Sequence, residues 1–164
     1  MIHHVSVPAR EPERVANVLA ELMGGRAYPF LGPLEGAFIA VAGDTNGTMI
    51  EVYPDTTTME PLINERFIPF GTNPTPPAHT SWHVNLSVAL ERDEIEQIGA
   101  REGWRTQLYG AAPPGKPPVF KVIQFWIENR VLLELVPQSM LAEYVRFAQF
   151  PFLDAALAAR QAGV

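Results

Sequence analysis

The same order of secondary-structure elements is predicted twice in this chain, and that repetition restricts the possible folds more than any other feature. Apolar runs rich in β-branched residues predict strands, and apolar residues at helical spacing before a glycine predict helices. The first copy comprises a strand at 2–7, a helix within 9–25 and strands at 27–30, 37–42 and 48–53; the second comprises a strand at 81–88, a helix at 91–103, a strand at 104–109 and a hairpin at 119–137. We therefore predict an α+β fold built from two tandem βαβββ modules.

The length of 164 residues suits one domain of ordinary size. We predict a single domain over 1–164, with a first module at 1–57, a proline-rich linker at 58–80, a second module at 81–137 and a C-terminal helical extension at 138–164. In the extension, Leu141, Tyr144 and Ala148 form a helical stripe that Pro151 interrupts. The extension has three candidate roles: covering a sheet edge, contacting a second copy, or capping a site.

Alternation along the strands gives each module two different faces, because successive side chains in a strand point to opposite sides. One face of each module is apolar and suits packing against the helix. The other face carries one histidine and one glutamate, with further polar side chains beside them: His4, Ser6, Glu51 and Tyr53 in the first module, and His83, Asn85 and Glu134 in the second. The paired motifs are "HHV" with "MIEVYP" and "WHV" with "LLELVP".

A carboxylate inside an apolar strand needs water or a partner, because an unpaired buried charge is strongly unfavourable. Two imidazoles and two carboxylates would suit a divalent cation, and the chain contains no cysteine, so thiolate ligands are excluded. Either residue type alone would be interpreted as a solvated surface group. The recurrence of a histidine with a glutamate at matching places in both modules favours a metal site. His3 is expected to face the helix side or the strand edge, and His79, in the linker, is expected to be solvent-exposed rather than part of a site loop.

The composition and charge of the chain argue against nucleic-acid and membrane partners. The net charge of −6 is spread along the chain, and no stretch combines basic and aromatic residues as nucleic-acid surfaces do. No apolar run approaches the roughly 20 residues of a membrane span. The first residues lack a basic region followed by an apolar segment. We expect a cytoplasmic protein that binds a small molecule, with no nucleic-acid or membrane partner.

These motifs and their order resemble the vicinal-oxygen-chelate superfamily, over residues 1–137. The resemblance implies that each module curls into a cupped mixed sheet, that the two sheets enclose one site, and that the protein is a homodimer. The family's metal-ligand positions fall on His4, Glu51, His83 and Glu134. Within the superfamily, a ligand set of one histidine and one glutamate from each module is similar to that of glyoxalase I and methylmalonyl-CoA epimerase.

The resemblance implies a metal-dependent isomerase, epimerase or lyase that chelates two neighbouring substrate oxygens and moves a proton next to a carbonyl. Zn²⁺, Ni²⁺, Mn²⁺, Fe²⁺ and Co²⁺ would all accept the ligand set. Glu134 or Glu51 would be the general base, and we favour Glu134. Asn85, Ser6 and Tyr53 are candidate substrate contacts.

Two other functions stay open from the sequence. A metal-free cup could sequester a small apolar molecule, as bleomycin-resistance relatives do, and a non-haem iron dioxygenase is a weaker alternative. An acidic substrate would need basic partners, for which Arg105, Lys116, Lys121 and Arg130 are candidates. The length of the turn after Ile127 decides whether Lys121, Ile123 and Phe125 or instead Gln124 and Trp126 share the face of Glu134.

Overall fold

The computed structural model describes residues 2–59, 70–112 and 117–161. Its elements are β1 (His4–Ala9), α1 (Pro12–Met23), β2 (Arg26–Pro29), β3 (Phe38–Val41), β4 (Met49–Pro54), β5 (Thr57–Met59), β6 (Phe70–Thr72), β7 (His83–Val88), α2 (Arg92–Glu102), β8 (Thr106–Ala111), β9 (Phe120–Ile127), β10 (Val131–Pro137), α3 (Gln138–Phe147) and α4 (Phe150–Gln161). The order strand, helix and three strands occurs in both halves. The predicted α+β class and the duplication are therefore confirmed.

The first module forms a four-stranded mixed sheet in the order β1-β4-β3-β2. β1 pairs with β4 in parallel, and β3 is antiparallel to both β4 and β2. Helix α1 contacts this sheet and buries Val15, Leu19 and Leu22 completely, while Ile50 and Val52 of β4 are at most 2% exposed. Each of these buried side chains stabilises the fold by about 2 kcal/mol relative to an exposed one.

The second module repeats the arrangement, with a four-stranded sheet in the order β7-β10-β9-β8. Helix α2 packs closely against β8: a Cβ added to Gly99 would collide with Cγ2 of Thr106. Ile95 of α2 and Leu133 and Leu135 of β10 are fully buried. Each module therefore has its own apolar core between one helix and one sheet face, as the alternation predicts.

Local signals explain where the two helices begin and end. Pro12 opens α1, where its missing N–H has no helical partner to lose. Gly24 ends α1 in the left-handed conformation at φ 67°, and its N–H bonds back to the last turn of the helix. At the start of α2, Oε2 of Glu94 accepts a 2.9 Å hydrogen bond from the backbone N–H of Glu91.

The segments outside the modules differ in part from the sequence prediction. Two short strands pair antiparallel in the region predicted as a linker at 58–80: β5 begins at its edge, at Thr57, and β6 lies within it. Residues 60–69 lie outside the described residues. The C-terminal extension is helical as predicted, but the break falls at residues 148–149. Pro151 instead occupies the first turn of α4, where proline is tolerated.

The described contacts divide the chain into two compact units. The first unit comprises Met1–His83 with Trp126–Leu132, and the second comprises Val84–Phe125 with Leu133–Val164. The tip of the β9–β10 hairpin thus groups with the first module, although its strands belong to the second sheet. Within the described ranges, no helix is both long and apolar enough to cross a membrane.

Candidate functional site

Glu51 lies at the centre of the first sheet, on the face opposite α1. The strand register places Ser6, Glu51, Ile39 and Tyr28 in one row across the four strands. The preceding row consists of His4, Met49, Val41 and Arg26. Because residues paired across strands share a face, the register confirms that His4, Ser6 and Glu51 lie together as the alternation predicts.

Three side chains converge on one oxygen of Glu51. Oε2 accepts a 2.9 Å hydrogen bond from the Ser6 hydroxyl and a 2.7 Å hydrogen bond from the Tyr53 hydroxyl. Nε2 of His4 lies 4.0 Å from the same oxygen. The Glu51 side chain is 13% exposed and that of His4 is 54% exposed. The carboxylate is therefore fixed, whereas the imidazole beside it is accessible and has room to rotate.

Tyr53 is the most constrained member of this group. Its ring makes edge contacts with Phe30 and Phe70, at centroid distances of 5.5 and 5.8 Å. Burial raises the pKa of Tyr53 to about 12, and the hydrogen bond to Glu51 and the negative charge of Glu51 act in the same direction. Tyr53 is therefore protonated at neutral pH and donates to the carboxylate. Phe30 and Phe70 were not singled out in the sequence, which gives no signal that they meet Tyr53.

In the second sheet, Nδ2 of Asn85 lies 3.5 Å from Oε2 of Glu134, which is at the long limit for a hydrogen bond. Asn85 takes the place that Ser6 has in the first module. Val136, which is fully buried, follows Glu134 by two residues as Tyr53 follows Glu51. The second carboxylate therefore has an amide neighbour and no phenol at the matching position.

The structure also answers the question of which β9 side chains share the face of Glu134. A three-residue turn, 128–130, separates β9 from β10. Ile123 and Phe125 are fully buried, and the ring of Phe125 makes an edge contact with Trp104, which follows α2, with ring centroids 5.7 Å apart. These two side chains lie on the helix side, so Gln124 lies on the opposite face with Glu134. Its partner on β8 is Gln107.

The structure places two of the predicted ligands, His4 and Glu51, beside each other on the first sheet. On the second sheet, Asn85, a predicted substrate contact, lies beside the predicted ligand Glu134. His83 is the exposed first residue of β7, and its Nδ1 lies 3.3 Å from the carbonyl oxygen of Ser81. Across residues 2–59, 70–112 and 117–161, no group of three or more His, Cys, Asp or Glu side chains lies close enough to hold a metal ion. The four-ligand set remains a prediction.

Among the basic side chains considered for an acidic substrate, Arg130 has a different partner. Its Nη1 lies 2.6 Å from Oδ2 of Asp55, and its Nη2 donates to the carbonyl oxygen of Pro77 at 3.1 Å. The side chain is only 10% exposed, so Arg130 serves an internal ion pair. Nη2 of Arg105 donates to Gln107 at 3.2 Å, Lys121 is exposed, and Lys116 lies outside the described residues.

No family model matches this chain, and no curated protein matches it. Solved structures resemble it weakly. The hypothetical protein SA1046 from S. aureus is 10% identical, with 84% of this chain and 96% of that chain covered and a TM-score of 0.46. Oxidase ChaP-H2 is 18% identical, with coverage of 84% and 93% and a TM-score of 0.44. A Bacillus anthracis protein assigned provisionally to the glyoxalase family is 15% identical, with coverage of 80% and 88% and a TM-score of 0.46.

Proposed function

We propose that this protein is a metal-dependent enzyme of the glyoxalase type, which binds two neighbouring oxygens of a small molecule and moves a proton next to a carbonyl. His4, Glu51, His83 and Glu134 are the proposed metal ligands. The observation that carries the proposal is the arrangement at Glu51, where Ser6 and Tyr53 fix a carboxylate on an open sheet face with an imidazole 4.0 Å away. The carboxylate of Glu134 recurs at the matching strand position.

The spacing of His4 and Glu51 supports the proposal of a divalent ion in the first module. Two ligand atoms that each lie about 2.1 Å from one ion can be at most about 4.2 Å apart. Nε2 of His4 and Oε2 of Glu51 are 4.0 Å apart, and the half-exposed histidine can approach further by rotation. An oxygen-and-nitrogen donor set of this kind suits Zn²⁺, Ni²⁺, Mn²⁺, Fe²⁺ or Co²⁺.

The contacts favour different roles for the two carboxylates. A bound divalent ion acts as a Lewis acid that makes the C–H next to a carbonyl more acidic. A base that accepts this proton has to reach the substrate carbon, whereas a permanent ligand is best held still. Ser6 and Tyr53 hold Glu51 in one orientation, so Glu51 suits the ligand role. We assign proton transfer to Glu134, and Asn85 orients that carboxylate from the neighbouring strand.

A metal-free binding protein is the second candidate. The observation that favours it is that Oε2 of Glu51 accepts two hydrogen bonds from the protein itself. A carboxylate with two donors is stable on the sheet face without a cation. In that case the face would bind a small apolar molecule, with Glu51 as a fixed polar group at its centre.

Metal content decides between the two functions. Tag-free protein should retain close to one divalent ion per chain by elemental analysis, or take one up on titration. His4→Ala, Glu51→Gln, His83→Ala and Glu134→Gln should each weaken retention at least tenfold. His3→Ala is the matched control, because His3 precedes His4 and bonds instead to the carbonyl oxygen of Asn46 at 2.7 Å. Failure of the wild-type protein to bind any ion would overturn the metal-dependent proposal.

A further inference from the structure

On the side of Glu51 away from Ser6, the side chains of its row present apolar surface. Moving outward from Glu51 along its row, the next side chain is Ile39 on β3 and the one after it is Tyr28 on the edge strand β2. Ile39 is half-buried and Tyr28 is 45% exposed. Both therefore present apolar surface that a ligand held at Glu51 would cover.

We propose that the substrate carries its two neighbouring oxygens on a flat apolar body of about the size of an aromatic ring, and that Ile39 and Tyr28 bind this body. The assignment of the oxygens to Glu51 rests on the proposed function. The assignment of the body to Ile39 and Tyr28 rests on the strand register. A substrate with a small aliphatic body would leave this surface in water.

The dimensions of the row fit such a body. Neighbouring strands are about 4.8 Å apart, so the row extends roughly 10 Å from Glu51 to Tyr28. A single aromatic ring bonded to the oxygen-bearing carbons covers this distance. Val41 and Met49 lie side by side in the adjoining row and are half-buried. They widen the apolar surface on one side, and the Tyr28 ring is free to stack on a flat ligand.

The charges on this face disfavour a substrate with a multiply charged tail. Among the described residues of these two rows, one side chain is an arginine or lysine, namely Arg26, and it lies on the edge strand. Recognition of several phosphate or carboxylate groups needs several convergent donors of this kind. The surface between Arg26 and the histidine in its row is formed by Val41 and Met49. The face therefore selects for apolar contact rather than for charge.

Two ligands that differ only in the body test this inference. Hydroxyacetone and 2-hydroxyacetophenone carry the same pair of neighbouring oxygens, on a methyl and a phenyl group respectively. Each methylene equivalent moved out of water favours binding by roughly fourfold, so we expect 2-hydroxyacetophenone to bind at least about tenfold more tightly. Isothermal titration with metal-loaded protein measures both dissociation constants. Equal affinities would overturn the inference.

Substitutions on the sheet face test whether Ile39 and Tyr28 cause the preference for the phenyl compound. Ile39→Asn and, separately, Tyr28→Ala should each lower the ratio of the two affinities, phenyl compound over hydroxyacetone, at least threefold. Leu31→Asn is the matched control, because Leu31 is an apolar side chain that is 94% exposed and lies outside the strands. Tyr28→Ala removes an edge side chain and keeps the test valid if Ile39→Asn does not fold. A loss of preference in Leu31→Asn equal to that in the other two would overturn the assignment.

Acetophenone separates this inference from the proposed function, because it keeps the phenyl group and lacks the second oxygen. If the protein binds no metal but still binds acetophenone in a manner that depends on Ile39, the proposed function fails and the assignment of the apolar body stands. If the protein binds metal but shows no preference for the phenyl compound, the proposed function stands and the assignment of the apolar body fails. Metal content and phenyl preference together therefore test the two proposals separately.

Discussion

The two glutamates at matching positions of the duplicated modules have different neighbours. Glu51 accepts short hydrogen bonds from a serine and a tyrosine, whereas Glu134 has an asparagine amide at 3.5 Å and a valine where the tyrosine would be. The sheet faces beside them differ too. Ile39 lies next to Glu51, whereas the face around Glu134 includes the glutamines Gln107 and Gln124. The two modules thus have a glutamate at the same strand position but different side chains in contact with it. This difference suits the two roles proposed above, metal ligand for Glu51 and general base for Glu134.

The largest expected effect tests that division directly. Proton transfer can be followed by proton NMR as exchange of the CH₂ hydrogens of 2-hydroxyacetophenone with deuterated water, at saturating metal. Glu134→Gln should lower the exchange rate by about 10²- to 10⁴-fold, because it removes the general base. Glu51→Gln should lower it less at the same metal occupancy. A larger loss in Glu51→Gln would reverse the two assigned roles.

The tyrosine is the clearest difference between the modules, and its removal should weaken metal binding. Tyr53→Phe keeps the ring between Phe30 and Phe70 but deletes the donor to Glu51. Loss of a group that orients a ligand typically costs ten- to a hundredfold in metal affinity, and we expect a change in this range by chelator competition. Tyr109→Phe serves as the control, since Tyr109 is 42% exposed on β8. Unchanged affinity in Tyr53→Phe would show that Ser6 alone suffices to hold Glu51.

Alkaline pH should affect the first module through Tyr53, whose hydroxyl donates to Glu51; a valine, Val136, stands at the matching position of the second module. The pKa of Tyr53 is raised to about 12 in the folded protein, against about 10 in an unfolded chain. Between these values the unfolded state has released a proton that the folded state keeps, so stability falls as pH rises. The contribution of Tyr53 is complete below about pH 10 and lost through about pH 12.

Urea unfolding at several pH values measures this effect. The unfolding constant of the wild-type protein should rise by up to about tenfold per pH unit more than that of Tyr53→Phe over this window. Parallel curves for the two proteins would contradict the raised pKa. Because Tyr53→Phe keeps all the lysines and the other tyrosines, the difference between the two proteins removes the contribution of groups that titrate in the same pH range.

The smallest expected effect compares the two hydrogen bonds from β1 and β7. Ser6→Ala should lower the free energy of unfolding by about 1 kcal/mol, because it removes a 2.9 Å bond to a carboxylate that is largely buried. Asn85→Ala should cost less than about 0.5 kcal/mol, because its contact with Glu134 is long. Equal losses in thermal or urea unfolding would show that the two carboxylates are held alike.

Local pattern was enough to predict much of the fold. The paired motifs at His4 and His83 identified the duplication, and period-two alternation identified the face on which Ser6 and Glu51 meet. Contacts between residues far apart in the chain could not be predicted from the sequence. The partner of Arg130 is Asp55, 75 residues earlier in the chain, and the rings against Tyr53 come from separate segments. The face on which Gln124 lies depends on whether the β9–β10 turn has two or three residues, and the sequence did not decide between these lengths.

The tip of the β9–β10 hairpin has a consequence for the order in which the chain can fold. Oε2 and Oε1 of Glu128 accept 2.8 Å hydrogen bonds from the backbone N–H groups of Arg10 and Glu11, across sequence separations of 118 and 117 residues. During synthesis, therefore, the first helix leaves the ribosome long before the carboxylate at its amino end is made. Contacts this distant slow folding because the loop must close first. The native contacts of the amino-terminal module are therefore complete only after residue 128 has been synthesised.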